Sequence, residues 1–313
     1  MSTTTATRDP APPLDHRRRR RGRSAMAGWL FSAPGLVLLA VFLVTPFLLA
    51  AYLSFTNERL ISPLPTRWVG LDNYAATLSD PTFWAAVGNN VVFVAVVVPV
   101  QTAFALWLAV LVNSRIRGRV VFRSVYFLPV VTVMAAAAVI WTLLFNPNGL
   151  INAVMETVTF GAFAPDWLNS TTWALPAIMI VSIWQGVGFQ MVILLAALQD
   201  VPGELYEAAA LDGAGTWQQF RNVTLPGIRN GLIFVVTVTT ILAFRLFDQV
   251  WIMPQTPGGP LDATRTMMLE MVETGYGQQQ VGRGSAIAVI FFLIVLLITL
   301  VQRRLIREEG EVS

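Results

Sequence analysis

The chain has 313 residues, of which 55% are hydrophobic and only 12% are charged, and its formal net charge at pH 7 is +3. This composition is typical of a protein that crosses a membrane several times, and it excludes an ordinary soluble domain. The sequence has no cysteine, which excludes disulfides, thiol catalysis and cysteine metal sites, and its one histidine, His16, lies near the N-terminus. No histidine-based triad or metal site is therefore expected within the apolar segments.

Residues 1–24 form a tail that is rich in threonine, proline and arginine, with arginines at positions 17–21 and 23. We expect this tail to be disordered and cytoplasmic, and its charge to set membrane topology rather than to bind nucleic acid. The apolar run that follows is too long for the core of a signal peptide, and further apolar runs succeed it. It is therefore predicted to be a retained first transmembrane helix.

Six apolar runs are each long enough to cross a bilayer core, for which about 20 residues suffice. They comprise residues 28–53, 85–112, 125–145, 174–198, 232–253 and 285–301. The sequence thus predicts an all-α polytopic membrane protein with six transmembrane helices. Its predicted segments are the tail 1–24, a first helix with an external loop at 25–84, a core holding the other spans at 85–302, and a cytoplasmic tail at 303–313.

Arginine placement gives the expected orientation, because short cytoplasmic segments hold an excess of positive charge. Arginines cluster within residues 17–23, 115–123, 221–229 and 303–307, and the connections between these clusters are arginine-poor. Both termini are therefore predicted to be cytoplasmic. A polar segment between the fourth and fifth runs is predicted to lie on the same side.

This polar segment, residues 202–226, is predicted to form two short helices joined by a turn. Pro202 suits the first position of a helix, and Glu204 in the first turn complements the positive end of the helix dipole. Thr216 can cap a second helix, which is expected to end before Pro226. The result is a cytoplasmic helix–turn–helix.

The same segment carries a spaced motif, whose fixed positions are Glu207-Ala208-Ala209, Gly213, Val223 and Leu225-Pro226. It resembles the coupling signature of permease subunits of binding-protein-dependent ABC importers: Glu-Ala-Ala, three residues, Gly, nine residues, an aliphatic residue, one residue, Leu-Pro. By this resemblance the residues that couple to an ATPase are Glu207, Ala208, Ala209, Gly213, Leu225 and Pro226. The small side chains leave a helix face of low relief that suits a partner's groove, to which Glu207 offers a carboxylate. The alternative is an ordinary cytoplasmic loop with a helical hairpin.

Other short sequence segments extend the resemblance over residues 28–305 and indicate the carbohydrate-uptake branch of these permeases. They are Phe83-Trp84, Asn89-Asn90, Phe122-Arg123, residues 149–152, residues 184–190, Phe247-Asp248, residues 258–260 and residues 282–286. In them the chain is similar to maltose, trehalose and glycerol-3-phosphate permease subunits. Residues 254–257 depart from the family pattern, which usually reads Leu-Thr-Gly there.

The resemblance implies an importer of a sugar or a glycerophosphate-like solute that works by alternating access in the bacterial cytoplasmic membrane. The implied partners are a second homologous permease subunit, two ATPase subunits, an external solute-binding protein and membrane lipid. The chain has no lysine and therefore no ordinary Walker A loop, in which a lysine holds the nucleotide phosphates. We expect no catalytic site and no cofactor on this chain, with ATP and Mg²⁺ bound by the partner ATPase.

Polar residues within the runs are candidates for the solute path, because intramembrane polar groups usually face a bundle interior or a cavity. Arg245 and Asp248, at positions i and i+3, are expected to share one face of the fifth helix, where they either pair with each other or contact solute. The other candidates, each of which could instead join helices, are Asn90, Gln101, Trp184, Gln185 and Gln190.

Four prolines within the apolar runs and one stretch between the fifth and sixth runs also lead to structural predictions. The prolines at positions 46, 99, 129 and 176 are expected to mark helix kinks. Residues 266–276, between the fifth and sixth runs, are patchily apolar and predicted to be helical. This stretch is either an interfacial or partner-binding element or a lid packed on the bundle.

Two other classes of protein fit parts of the sequence. An ion-coupled secondary transporter is compatible with six helices and an intramembrane Arg/Asp pair, but it leaves the Glu207 motif without a role. An intramembrane enzyme needs a nucleophile with a base or a metal cluster, and the sequence shows neither.

Overall fold

The computed structural model describes residues 29, 31–62, 65–113 and 118–308. Within these residues the backbone is mostly helical and has no strand, and Thr56 and Trp68 form an isolated antiparallel bridge. The predicted tail at 1–24 lies outside the described residues, as do positions 309–313 of the predicted C-terminal tail. The chain divides into two compact units, Met1–Tyr52 and Leu53–Ser313.

The helices are numbered α1 to α13 in chain order. They are α1 Phe31–Leu53, α2 Asp72–Leu78, α3 Pro81–Asn113, α4 Arg119–Val131, α5 Met134–Leu144, α6 Leu150–Thr159, α7 Ala174–Gln199, α8 Gly203–Leu211, α9 Thr216–Gln219, α10 Arg229–Phe244, α11 Asp248–Ile252, α12 Met267–Val272 and α13 Val281–Glu308. Among the described residues, five helical segments are long and apolar enough to span a membrane: α1, α3, α7, α10 with α11, and α13. The pair α4 and α5 makes a sixth span if it is counted as one. The predicted all-α architecture is confirmed at this level.

Helix α1 contains a π-helical turn at Ala40–Val44, just before Pro46. A proline within a helix has no N–H to donate, and its ring crowds the carbonyl group four residues earlier. The wider turn relieves this crowding, and the Thr45 hydroxyl donates to the Ala40 carbonyl oxygen at 3.0 Å. The distortion predicted at Pro46 therefore takes the form of a π turn.

The centre of the second unit is formed by α3 and α7, whose facing side chains are fully buried. Examples are Leu108 on α3 and Met191 and Leu194 on α7, which belong to one apolar cluster. Helix α4 approaches α7 at Gly188, where a Cβ atom would lie 2.1 Å from the carbonyl oxygen of Tyr126. Because no side chain fits in that space, glycine at this position allows α4 to pack directly on α7.

The third predicted span, residues 125–145, is not a straight helix. It is broken into α4 and α5, which are bent by 98° at a short extended segment around Thr132. Pro129 lies inside α4 and three residues before the break. The side-chain amide of Gln185 donates to the Thr132 carbonyl oxygen at 3.1 Å, which satisfies a backbone group exposed by the break. The kink expected at Pro129 is therefore present three residues later, but as a complete break between two helices rather than as a bend within one helix.

The fifth predicted span is also broken, because α10 ends at Phe244 and α11 begins at Asp248. Distant side chains satisfy the carbonyl groups freed at this break. The Asn90 amide donates to the Phe244 carbonyl oxygen at 3.3 Å, and the Thr266 hydroxyl donates to the Leu246 carbonyl oxygen at 2.9 Å. Irregular backbone at membrane depth is tolerated when it is buried and paired in this way.

The helical stretch predicted at 266–276 is confirmed as α12 followed by a π turn, Glu273–Gly277. The Thr266 hydroxyl caps α12 by accepting from the backbone N–H of Leu269 at 3.3 Å. Met267 and Leu269 are fully buried and join the apolar clusters of the bundle. These buried side chains show that the segment packs on the bundle, as the lid alternative predicted.

Arg265 organises the loop that leads into α12. Its guanidinium donates to Asp262 at 2.7 Å, to Glu270 at 2.8 Å and to Glu273 at 2.5 Å. Burial acts to lower the pKa of Arg265, but the hydrogen bonds to Asp262 and Glu273 outweigh it, so the pKa is raised and the group stays charged. The amide of Asn89 on α3 donates to the carbonyl oxygens of Asp262 and Arg265, which joins this loop to the bundle.

We expect Arg265→Gln to destabilise the protein strongly, because the Glu270 side chain is only 4% exposed and loses its countercharge. Breaking a buried ion pair in this way costs about 3–5 kcal/mol. The measurement is thermal unfolding of the purified protein in detergent, with Arg245→Gln as the matched control because that arginine is exposed. The double variant Arg265→Gln, Glu270→Gln should recover part of the loss. Equal melting temperatures for Arg265→Gln and the parent would contradict the assignment.

Candidate functional site

A cavity of about 650 Å³ lies where the two helix breaks meet α3 and α7. Its wall combines apolar side chains from these helices with polar groups that point into the same space. The polar side chains are Gln101, Ser182, Gln185, Thr239, Arg245, Asp248 and Gln249, and the larger apolar ones include Phe93, Val97, Met134, Phe189, Phe247 and Met268.

Arg245 and Asp248 are placed by the break between α10 and α11. The prediction that they share one face of a continuous helix is wrong, because Arg245 follows the last residue of α10 and Asp248 is the first of α11. Both side chains are exposed, and among the described residues neither forms an ion pair. The cavity therefore receives a free guanidinium and a free carboxylate.

Of the remaining candidates, two line the cavity and the others lie behind or outside its lining. Gln185 lines the cavity and also holds the break at Thr132. Gln190 is buried beside the cavity and donates to the hydroxyl of Thr239, a lining residue, at 2.5 Å. Trp184 lies outside the lining and meets Trp141 edge-on, with ring centroids 5.4 Å apart.

Asn90 is fully buried and does not line the cavity. Besides its bond to Phe244, its side-chain carbonyl oxygen accepts from the backbone N–H of Met267 at 2.8 Å. Both polar ends of this amide are thus used within the protein. These contacts match the second alternative for Asn90, in which it joins helices rather than contacting solute.

Several lining residues were missed in the sequence. Ser182 and Phe189 lie three residues before and four residues after Gln185, so a helical projection centred on Gln185 would have found them. Gln249 was hidden for another reason. It lies on α11, beyond a helix break that the sequence did not predict, and from there its amide donates to the Ser182 hydroxyl at 3.2 Å.

The polar segment forms α8 and ends in a glycine-dependent turn. The backbone N–H of Ala214 donates to the Ala209 carbonyl oxygen at 2.9 Å, and that of Gly213 donates to the Ala210 carbonyl oxygen at 3.1 Å. Gly213 has φ +80°, the left-handed conformation that this helix termination requires. The glycine of the motif therefore has a direct backbone cause. Helix α8 itself begins at Gly203, one residue after the predicted start at Pro202.

The second half of the segment differs from the prediction at both ends. Gly215, not Thr216, is the capping position, and its N–H donates to the side-chain oxygen of Gln218 at 2.9 Å. Helical structure does not stop before Pro226, because a π turn at Phe220–Thr224 leads into a short helical turn at Leu225–Gly227. Proline is tolerated near the start of such a turn, where its missing N–H is not needed.

The two halves of the segment are joined to each other, and their outer surface is open. The Tyr206 hydroxyl on α8 and the Thr224 hydroxyl lie 3.0 Å apart in a hydrogen bond. Glu207 and Ala208 are exposed, and Leu211 and Trp217 are 90% and 70% exposed. Such large apolar side chains beside a free carboxylate are typical of a surface that contacts another protein. Among the described residues, no group of histidine, aspartate and glutamate side chains could hold a metal ion.

Comparison with known proteins places the chain among transport proteins. The family described as "Binding-protein-dependent transport system inner membrane component" matches residues 101–308. The chain is 34% identical over 281 residues to the trehalose/maltose transport system permease protein of Thermococcus litoralis, covering 89% of this chain and 93% of the relative. It is 31% identical over 272 residues to the lactose transport system permease protein of Rhizobium radiobacter, with coverage of 87% and 90%.

Solved structures show the same fold. A bacterial ABC transporter involved in the import of the acidic polysaccharide alginate has a chain that superposes with a TM-score of 0.76 at 20% identity, covering 92% of this chain and 99% of that one. The alginate transporter in complex with a periplasmic protein carrying an alginate pentasaccharide gives a TM-score of 0.78 at 19% identity, with coverage of 91% and 96%. On the family match and the relatives together, this chain belongs to the family of inner membrane components of binding-protein-dependent transport systems.

Proposed function

We propose that this chain is a permease subunit of an ATP-driven ABC importer and that a sugar or a glycerophosphate-like solute passes through the cavity described above. The observation that carries the proposal is the meeting of Arg245, Asp248 and Gln185 in a cavity of about 650 Å³. Ligand pockets usually measure about 300–1,000 Å³. A polyhydroxylated solute both donates and accepts hydrogen bonds, so it suits a donor-only guanidinium, an acceptor-only carboxylate and an amide.

The proposed mechanism is alternating access driven from the segment that holds α8. The partner ATPases, which bind ATP and Mg²⁺, would contact the exposed surface around Glu207. Their closure would then move this surface. The motif spacing, the free carboxylate and the exposed Leu211 and Trp217 support this role. The bundle would then change which side of the membrane its cavity faces, and this chain would perform no bond chemistry.

The proposed assembly contains a second homologous permease subunit, two ATPase subunits and an external solute-binding protein. The names of the relatives support membership of a larger transport system, and the alginate transporter in complex with a periplasmic protein supports an external binding protein. In the proposed orientation both termini and α8 are cytoplasmic, and the membrane is the bacterial cytoplasmic membrane. The arginine distribution supports that orientation.

The test of function is uptake by proteoliposomes that contain the complete complex. A ligand screen of the cognate binding protein first identifies the solute, and its radiolabelled form is then supplied outside with the binding protein while ATP is enclosed on the ATPase side. We expect uptake to require ATP and to persist when ionophores collapse ion gradients. Uptake that ignores ATP and stops with the ionophore would instead identify an ion-coupled secondary transporter.

Single cysteines test the proposed orientation. Because the parent chain has no cysteine, an impermeant thiol reagent will label only the introduced residue. Cysteines at Gly118 and Gly215 should react only from the cytoplasmic side, and cysteines at Gly70 and Glu156 only from the outside, because the arginine bias alternates in this order. All four positions are exposed or partly exposed in the structure. A reversed pattern at any one of them would refute the arrangement of spans.

A further inference from the structure

Helix α6 begins only a few residues after Leu144, the last residue of the bent apolar pair α4 and α5, which is counted here as one span. It is held in a fixed position by Asn152, which is 2% exposed. The Asn152 amide donates to the carbonyl oxygens of Pro147 and Pro165, both at 3.1 Å, and its oxygen accepts from the indole N–H of Trp167 at 2.7 Å. One face of α6 is therefore fixed to the protein.

A flank of α6 is apolar and uncovered. Leu150, Val154 and Val158 repeat every four residues and are 65%, 50% and 69% exposed, and Phe160, just beyond the helix, is 97% exposed. Residues spaced in this way form one stripe along a helix. The exposed carboxylate of Glu156 lies on the opposite flank of the same helix. A polar flank can stay in contact with water without a free-energy penalty. A row of aliphatic side chains cannot, so their exposure indicates an apolar neighbour.

The neighbour is indicated by the preceding helix. On α5 the side chains of Val139, Ile140 and Leu143 are also more than half exposed, which is the state of a helix surface that faces lipid. The stripe on α6 begins just after this surface ends. The connection from 145 to 149 is short, and its Gly149 packs so tightly that a Cβ atom would lie 2.6 Å from the Leu144 carbonyl oxygen. Helix α6 is thus kept at the level where α5 leaves the bilayer.

We propose that α6 lies on the membrane surface, with Leu150, Val154 and Val158 inserted at the boundary between lipid headgroups and acyl chains and Phe160 inserted at its end. Amphipathic helices of this kind bury their apolar face about 5–10 Å into the interface. Residues 146–173 contain no arginine or lysine, so attraction to anionic headgroups has no part in the contact. The helix fixes the depth at which the bent span sits in the bilayer.

The test is site-directed spin labelling of the full-length chain in nanodiscs, using the cysteine-free background. Nitroxides are attached singly at Val154 and Val158, at Leu143 as a reference on α5, and at Glu156 as the matched control on the polar flank. Collision rates are then measured with oxygen, which concentrates in lipid, and with a water-soluble nickel complex. The measurement is repeated with and without anionic lipid.

Lipid contact predicts high oxygen and low nickel collision rates at Val154 and Val158, as at Leu143, with the reverse at Glu156 and no dependence on anionic lipid. High nickel collision rates at the stripe would show that it faces water and would overturn the proposal. Low rates for both reagents would show that the stripe is packed against protein rather than lipid, which would also overturn it. Normal binding of the other subunits by each labelled variant confirms that the measurement reports a folded chain.

Discussion

Replacing Gly213 by proline is expected to abolish solute uptake while the protein still inserts into the membrane. Gly213 has φ +80° and its N–H donates to the Ala210 carbonyl oxygen. Proline fixes φ near −65° and has no N–H, so neither feature can survive. The turn after α8 must then open and displace the surface around Glu207. Uptake into cells, protein content of the membrane fraction and co-purification of the ATPase are the three measurements.

Two glycine variants separate backbone strain from other causes. Gly213→Ala adds a methyl group that meets no atom within 4 Å, so its only cost is the left-handed backbone, roughly 1–2 kcal/mol. Its uptake should fall between those of the parent and of Gly213→Pro. Gly215→Ala is the matched control, because Gly215 has φ −72° and open space around it. Loss of uptake in Gly215→Ala to the level of Gly213→Pro would show that the turn at Gly213 is not special.

The side chain of Glu207 provides a second test of the same segment, without any change to the backbone. Its carboxylate is exposed, and among the described residues it has no hydrogen-bond or ionic partner, so Glu207→Ala should leave folding intact and abolish uptake by removing a contact with the ATPase. Glu204→Ala is the control, because Glu204 is an exposed carboxylate in the first turn of the same helix but outside the motif. Normal uptake with both Glu207→Ala and Gly213→Pro would refute the coupling role of the segment.

The second large effect is expected at Arg245 and Asp248. Each carries a free charge into the cavity, so Arg245→Gln and Asp248→Asn should leave protein yield unchanged and reduce transport. Hydrogen bonds to charged groups contribute about 1.5–3 kcal/mol, and each 1.4 kcal/mol is a factor of about ten. We therefore expect each variant to lose roughly tenfold to a hundredfold in the apparent affinity for transport.

The double variant distinguishes a solute path from a structural pair. If the two charges contact solute independently, Arg245→Gln with Asp248→Asn should transport at least as poorly as the worse single variant. If they stabilise each other in another state of the transporter, the double variant should recover yield and transport. Asn90→Ala supplies the contrasting case, because it leaves buried backbone groups at Phe244 and Met267 unpaired and should lower yield. Full transport by the double variant would remove both residues from the solute path.

The sequence predicted those parts of the fold that depend on local chemistry. Apolar runs of sufficient length mark the spans, and Pro202 with Glu204 predicted the start of α8 to within one residue. Pro46 likewise predicted a distortion, which the structure places in the adjacent π turn.

The helix breaks could not be predicted in the same way. Residues 244–247 contain neither proline nor glycine to mark a helix end, yet α10 ends there and side chains of Asn90 and Thr266, from distant segments, pair with the freed carbonyl groups. At the other break, Pro129 gave a signal but the chain turns at Thr132, where Gln185 supplies the partner. The cavity lies at these breaks, so most of its lining could not be identified without the tertiary contacts.

Asn90 also connects two parts of the protein that perform separate tasks. Its one amide group holds the carbonyl oxygen that ends α10, next to Arg245 in the cavity wall, and the backbone N–H that begins α12 in the loop lid. A shift of the cavity wall must therefore carry the lid with it or break at least one of these hydrogen bonds. Occupancy of the cavity and the position of the loop lid are in this way mechanically linked, both through Asn90 and through the hydrogen bond from Thr266 to the Leu246 carbonyl oxygen.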